Sequence, residues 1–305
     1  MRILPQAVAL ACLQLQAGAQ IRDKQADLDY SVGQTVGECV IARCVIFHGS
    51  LLTDSPRSGE SATVGVDEWL FGSAPETEMR VPYSSGISPK APMESPGRAW
   101  NGVSLVRGVP LTVVLALERI GATKGGEAVL VTSDSRTSDL IRSLAFDAVR
   151  LERDPGEVSE AVASLSRDPR PGMAGFLYVY LTEREAIKNP ALCTRLLGQM
   201  IGNPSVPPLT WNLYSAAIVL NFHRLSTSDR AAVIERFAEL AQQADPRAAG
   251  SGLRGLAAIS AFDDSVRSMI PAPALSKIAA SYRSLVASGS FSPDESLERA
   301  LGVVR

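Results

Sequence analysis

The chain has 305 residues, of which 46% are hydrophobic and 20% are charged, and its formal net charge is -2. This length is sufficient for two domains with separate cores, and the composition excludes general disorder. The nearly neutral charge argues against binding to a nucleic-acid backbone or to an anionic membrane surface, because both require an excess of basic residues.

Residues 1–19 have the pattern of a signal peptide. A single positive charge at Arg2 precedes a short apolar stretch that ends in small residues at Ala17-Gly18-Ala19. Cleavage there would leave Gln20 as the first residue, so we expect an exported protein, periplasmic or extracellular. Two alternatives stay open, an amphipathic first helix and lipid attachment at Cys12. The rest of the sequence contains no apolar run long enough to span a membrane.

A β domain is predicted for residues 38–137, after a loose polar lead-in at residues 20–37. Apolar runs rich in β-branched residues, some of them alternating with polar residues, indicate five strands. Pro82 cannot donate a ladder hydrogen bond, so the third strand should end there or lie at an edge. The five predicted strands are Cys39–Phe47, Ala62–Gly72, Glu78–Tyr83, Leu111–Glu118 and Glu127–Thr132.

Five strands with long connections favour a small closed barrel, because closure removes the edges of a short sheet. The residues Cys39-Val40-Ile41-Ala42-Arg43, Val64–Gly72 and Leu115–Glu118 resemble the netrin-like, or tissue-inhibitor-of-metalloproteinases-like, version of the OB-type barrel found in exported bacterial proteins. The animal inhibitors of that family use an amino-terminal cysteine to occupy a protease metal. Gln20 cannot do so, and inhibition by that route is not expected.

Residues 138–305 change to a helical period of 3.6. Leu140, Leu144, Ala148 and Leu151 share one face of the first helix, and capping patterns at residues 226–229, 245–246 and 292–295 predict the starts of later helices. A helix over residues 208–225 is apolar nearly all round, so it should lie centrally, with His223 as a packing residue. If the helices pair at equivalent points Phe176, Tyr214 and Leu253, their spacing resembles HEAT-like helical hairpins; a compact helical bundle is the alternative.

Three cysteines remain after removal of the leader. Cys39 and Cys44 lie on one predicted strand, point to opposite faces and cannot pair without a sharp bulge. A disulfide between Cys44 and Cys193 is one interpretation, and buried free thiols are the other. Metal ligation is not expected, because the chain has no C-x-x-C pair and only two histidines. No cofactor motif is present either.

Candidate binding residues lie in the β domain. Trp69 and Phe71 share one face of the predicted second strand, where they either fill the interface between barrel and helices or form an exposed patch. His48 and Tyr83 are further candidates. His48 with a serine of the 84–88 loop would make a serine-type hydrolase, but the nucleophile motif G-x-S-x-G is missing. No catalytic residue is therefore assigned.

The sequence thus predicts an exported, non-catalytic binding or interaction protein of the bacterial cell envelope, whose partner is another envelope protein. It would consist of an OB-type netrin-like β-barrel followed by a HEAT-like helical array. Two alternatives are the hydrolase described above and an inhibitor of a secreted protease. The inhibitor would act through the long proline- and glycine-rich loop at residues 84–110.

Overall fold

The structure, a computed structural model, divides into two compact units, one ending at Tyr180 and the other beginning at Leu181. The sheet-containing unit therefore extends further along the chain than the predicted boundary at residue 138. The part of the chain that the structure describes comprises residues 24–42, 44–54, 60–83, 103, 106–117, 126–153, 164, 168, 170–203, 206 and 208–303. The predicted signal peptide and most of the 84–110 loop lie outside these residues.

The unit of residues 24–180 is built on an antiparallel sheet that curls into a half-barrel. Its strands lie in the order β3-β2-β1-β4-β5, and the two edge strands, β3 and β5, approach each other. Among the described residues of this unit, one helix precedes the sheet and two follow it. In chain order the elements are α1 (Lys24–Ala42), β1 (Val45–Leu51), β2 (Ser61–Phe71), β3 (Glu78–Pro82), β4 (Pro110–Leu117), β5 (Gly126–Thr132), α2 (Ser135–Arg153) and α3 (Pro171–Val179).

Four of the five predicted strands are confirmed, with ends that differ by one residue at most. β3 also ends at Pro82 and lies at an edge, as its missing N–H requires. The first strand is wrong in position. Cys39 to Ala42 belong to the end of α1, and β1 begins only at Val45.

The predicted lead-in at residues 20–37 is also wrong over its described part, because α1 occupies that region. α1 buries Tyr30, Val36 and Val40, and it packs mainly against α3. A β-carbon at Gly33 would overlap the carbonyl oxygen of Gly172, and one at Gly175 would overlap that of Tyr30. Glycine lowers the intrinsic helix propensity of this segment, but it lets the two backbones approach, and the packing decides the structure.

The concave side of the sheet holds the core of the unit. Phe47, Leu51, Val64, Val113 and Leu115 are all completely buried there. Two register shifts in the β1–β2 pairing place Phe47 opposite Trp69 and Ile46 opposite Phe71. The shifts leave Asp67 and Leu70 as extra residues of β2.

The unit of residues 181–305 is helical in its described part. After a π-helical turn (Tyr180–Glu185) come α4 (Ala186–Lys188), α5 (Pro190–Met200), α6 (Trp211–Asn221), α7 (Thr227–Ala241), α8 (Pro246–Ser260), α9 (Val266–Met269), α10 (Ala272–Ala287) and α11 (Glu295–Leu301). α8 lies at the centre and packs against α6, α7, α10 and α11.

The helix starts of this unit follow their capping residues. Ser226 accepts a hydrogen bond from the backbone N–H of Asp229, which is three residues further on, and so begins α7. Asp294 caps α11 in the same way through the N–H of Leu297, and Asp245 caps α8 by accepting from the N–H of Arg247, two residues further on. All three predicted starts are confirmed.

α6 does not lie as centrally as its composition predicts. Trp211, Tyr214 and Ile218 are buried, but Leu213 and Leu220 on the opposite side are 42% and 40% exposed. His223, which was expected to be a packing residue, lies in an exposed 3₁₀ turn after the helix. The prediction failed because leucine and alanine on a solvent-facing stripe give the same sequence pattern as a buried face.

Candidate functional site

A hydrogen-bonded group joins the convex side of the sheet to α2. His48 of β1 and Thr112 of β4 are register partners, and His48 Nδ1 lies 3.3 Å from Thr112 Oγ1. The Thr112 hydroxyl is also hydrogen-bonded to the hydroxyl of Ser138, in the first turns of α2. Thr112 is 1% exposed, so these partners satisfy a buried polar group. These hydrogen bonds connect the sheet to α2, and we call His48, Thr112 and Ser138 the latch.

Charged residues border this latch. Glu68 is the register partner of His48 on β2, and its carboxylate forms an ion pair of 2.8 Å with Arg142 of α2. Both side chains are about half exposed, so the pair adds little stability. The serine that reaches this group is Ser138, and its hydroxyl is separated from His48 by Thr112. A nucleophile needs direct contact with its base, so the described residues form no such pair.

The four predicted binding residues do not form one surface. Trp69 packs edge-to-face against Phe47 at a centroid distance of 5.4 Å, and Tyr83 packs against the same concave core. His48 and Phe71 belong to the other side of the sheet. The expectation that Trp69 and Phe71 share a face is wrong, because the extra residue Leu70 reverses the alternation between them. The serines of the 84–88 loop lie outside the described residues, so the hydrolase stays a prediction.

The cysteines differ from their prediction as well. Cys39 and Cys44 form a disulfide, with 5.1 Å between their α-carbons. They can pair because Cys39 lies in the last turn of α1, which ends at Ala42, and Cys44 directly precedes β1, so the chain turns between them. The proposed Cys44–Cys193 bond is wrong. Cys193 is a buried free thiol whose Sγ donates to the carbonyl oxygen of Leu181 at 3.2 Å.

Sequence reasoning missed a partly buried cation in the helical unit. Arg254 of α8 is intermediate in exposure, and its Nη1 donates to Asn212 Oδ1 of α6 at 2.9 Å. Its guanidinium also lies over the ring of Phe291, 5.7 Å from the centroid. Burial lowers the pKa of Arg254 below its ordinary value. Within the described residues no carboxylate pairs with it, whereas Arg247 on the same helix is paired with Asp245.

The exposed side of α6 lies beside this cation. Leu213, Ala216 and Leu220 follow one another at helical spacing, and we call them the α6 ridge. Asn212, the partner of Arg254, is one helical turn from Ala216. Residues 186 to 228 contain no aspartate or glutamate, so the ridge carries no negative charge. That absence is the one signal in the sequence that could have drawn attention to this surface.

A second surface feature of this unit is a shallow groove of about 670 Å³. It is lined by residues around α9, including Asp264, Arg267, Ile270 and Leu275. Arg267 donates to the carbonyl oxygen of Ala300 at 3.3 Å, which engages one end of its guanidinium. Both signs of charge border the groove, so it selects neither an anion nor a cation.

The described residues include no cluster of three or more histidine, cysteine, aspartate or glutamate side chains that could hold a metal ion. Over the same residues no helix is long and apolar enough to cross a membrane. Comparisons with protein-family models, with curated proteins and with solved structures give no match for this chain. The candidate function therefore rests on the geometry alone.

Proposed function

We propose that this chain is a non-catalytic binding protein of the bacterial cell envelope, and that it binds a partner protein through its helical unit. The observation that carries the proposal is the α6 ridge. Leu213 and Leu220 remain exposed on a helix whose other side is fully packed. Exposed apolar side chains at helical spacing are typical of surfaces that bind protein segments.

Two features support the location in the envelope. The first 19 residues have the pattern of a signal peptide. The disulfide between Cys39 and Cys44 adds to this, because such bonds persist in oxidising compartments and are rare in the cytosol. Export is tested by expressing the full chain in a bacterium and sequencing the amino terminus of the protein in the periplasmic fraction. A mature protein that retains residues 1–19 would contradict it.

The finer fold assignment is part of the same proposal. We infer an OB-type, netrin-like barrel, since the curled five-stranded sheet brings its edge strands β3 and β5 near each other, as a partly open barrel requires. For the second unit we infer a HEAT-like array. The support is that helices adjacent in the chain contact each other, α5 with α6 and α7 with α8. A compact bundle is the alternative.

The binding function is tested by chemical crosslinking of the purified chain in envelope extract. We compare the unchanged chain with a double variant, Leu213→Ser with Leu220→Ser, and with a matched control, Phe146→Ser. Phe146 is 71% exposed but lies in the other unit. The proposal expects a stoichiometric crosslinked protein that the double variant loses and the control keeps. Equal capture by all three chains would contradict a site on α6.

A further inference from the structure

The guanidinium of Arg254 has more hydrogen-bond donors than the described residues supply with acceptors. Arginine carries five N–H donors, and the acceptor that the structure gives Arg254 is Asn212 Oδ1. That oxygen is shared, because the hydroxyl of Ser251 donates to it as well, at 3.0 Å. The contact with the ring of Phe291 adds a cation–π attraction but no acceptor. The charge is thus held in place and incompletely satisfied.

An anion would complete this arrangement. A partly buried charge loses part of its hydration, and a carboxylate can replace the lost water contacts through two parallel N–H···O bonds. The neighbourhood keeps the guanidinium in position. Asn212 holds Nη1, and a β-carbon at Gly250, one turn earlier on α8, would lie 3.3 Å from the same nitrogen. The absence of a side chain at Gly250 therefore leaves space for the guanidinium of Arg254.

The surroundings indicate which kind of molecule carries the anion. Arg254 is joined through Asn212 to the helix that carries the α6 ridge, so the cation and the apolar side chains are adjacent. Arg224 follows the ridge at its far end and is exposed. With no aspartate or glutamate between residues 186 and 228, the surface complements a segment that is both apolar and acidic.

We propose that Arg254 binds a side-chain carboxylate from an acidic, amphipathic segment of a partner protein, and that the apolar residues of this segment pack on the α6 ridge. This inference rests on the proposed binding function, which it makes specific. Asn212 acts as a positioning residue that orients the guanidinium. The carboxylate accepts the N–H groups that Asn212 leaves free.

The probe is a display library of random 16-residue peptides, selected on the full chain with its disulfide intact. The expected peptides combine apolar residues with aspartate or glutamate. One of them is then titrated calorimetrically against the unchanged chain and against Arg254→Gln, both as selected and with its acidic residues replaced by amides. We expect the acidic peptide to lose about 30-fold in affinity on Arg254→Gln, and the amide peptide to lose less than about threefold.

A second variant, Asn212→Asp, should change stability and affinity in opposite directions. Asn212→Asp supplies an internal carboxylate to Arg254, so the melting temperature should rise while affinity for the acidic peptide falls about tenfold. Unchanged affinity in both Arg254→Gln and Asn212→Asp, or selected peptides without acidic residues, would overturn the assignment of Arg254. If peptides bind equally well to Leu213→Ser with Leu220→Ser, the ridge and the proposed function fail as well.

Discussion

Gly33 of α1 faces the carbonyl oxygen of Gly172 in α3 so closely that a β-carbon at position 33 would overlap that oxygen. Gly175 meets the carbonyl oxygen of Tyr30 in the same way. Two helices from distant parts of the chain therefore cross with their backbones in direct contact. This crossing holds α1 in the sheet-containing unit.

The substitution Gly33→Ala is expected to destabilise this unit by about 3 kcal/mol, because the added methyl group forces the helices apart. Urea unfolding followed by circular dichroism measures the loss. Gly198→Ala is the matched control. Its β-carbon would first meet the flexible side chain of Arg236 at 3.4 Å, so alanine should be neutral or slightly stabilising there. Equal effects of the two substitutions would show that the close crossing is not formed.

The disulfide should stabilise the junction between α1 and β1. Replacing both Cys39 and Cys44 by serine is expected to cost about 2 kcal/mol, since the bond closes a short loop. Mass spectrometry of a non-reduced digest should find these two cysteines linked, with Cys193 alkylated only after unfolding because it is buried. A linked peptide that contains Cys193 would contradict the assignment.

The latch predicts a measurable coupling between Thr112 and Ser138. Thr112→Val should cost about 1.5 kcal/mol, because it removes a buried hydroxyl that contacts both His48 and Ser138. Combined with Ser138→Ala it should cost clearly less than the sum of the two single substitutions. The measurement is a double-mutant cycle by urea unfolding. Strict additivity would mean that the two hydroxyls do not interact.

Two carboxylates beside Arg170 should affect stability in opposite directions. Burial raises the pKa of Asp147 above its ordinary value of 3.8, more than the charge of Arg170 lowers it. Burial also acts on the pKa of Asp168, but hydrogen bonds from the side chain and backbone of Arg170 outweigh it, and that pKa is lowered. The closest nitrogen–oxygen distances to Arg170 are 2.6 Å for Asp168 and 3.5 Å for Asp147.

The direction of each pKa shift determines how the free energy of unfolding depends on pH. The stabilisation from ionised Asp168 is present above pH 3.8 and is lost as the pH falls through its lower, folded value. Ionised Asp147 opposes folding at neutral pH, and this cost disappears as it becomes protonated. At pH 7 we expect Asp168→Asn to lower the free energy of unfolding and Asp147→Asn to raise it or leave it unchanged. Unfolding measured from pH 7 to pH 3 tests both, and a shift in the same direction would be inconsistent with this geometry.

The sequence predicted most of the secondary structure and little of the site. β2, β4 and β5 are recognisable because their alternation or continuous apolar run reflects local burial. The end of α1 has the β-branched residues of a strand, and its helical state depends on contact with α3, far along the chain. The side on which Phe71 lies depends on the extra residue Leu70 in β2, which the sequence pattern does not reveal.

The candidate site was hidden for a related reason. Arg254 has no local motif. What distinguishes it is that no carboxylate pairs with it in the part of the chain that the structure describes, and this depends on the packing of α6 and α8. Leu213 and Leu220 have the same pattern as buried leucines. Patterns in a sequence report the period of an element, whereas exposure and unmet charge depend on which elements become neighbours.

The crossing of α1 and α3 also affects the order of events during synthesis. Residues 24–42 are synthesised before the rest of this unit, but their main partner is residues 171–179, so the whole sheet is made before α1 can be fixed. The nascent chain must therefore keep α1 unpaired, with its apolar side chains accessible, until most of this unit has been translated. A factor that binds emerging chains would meet α1 during this interval, before the native contact covers it.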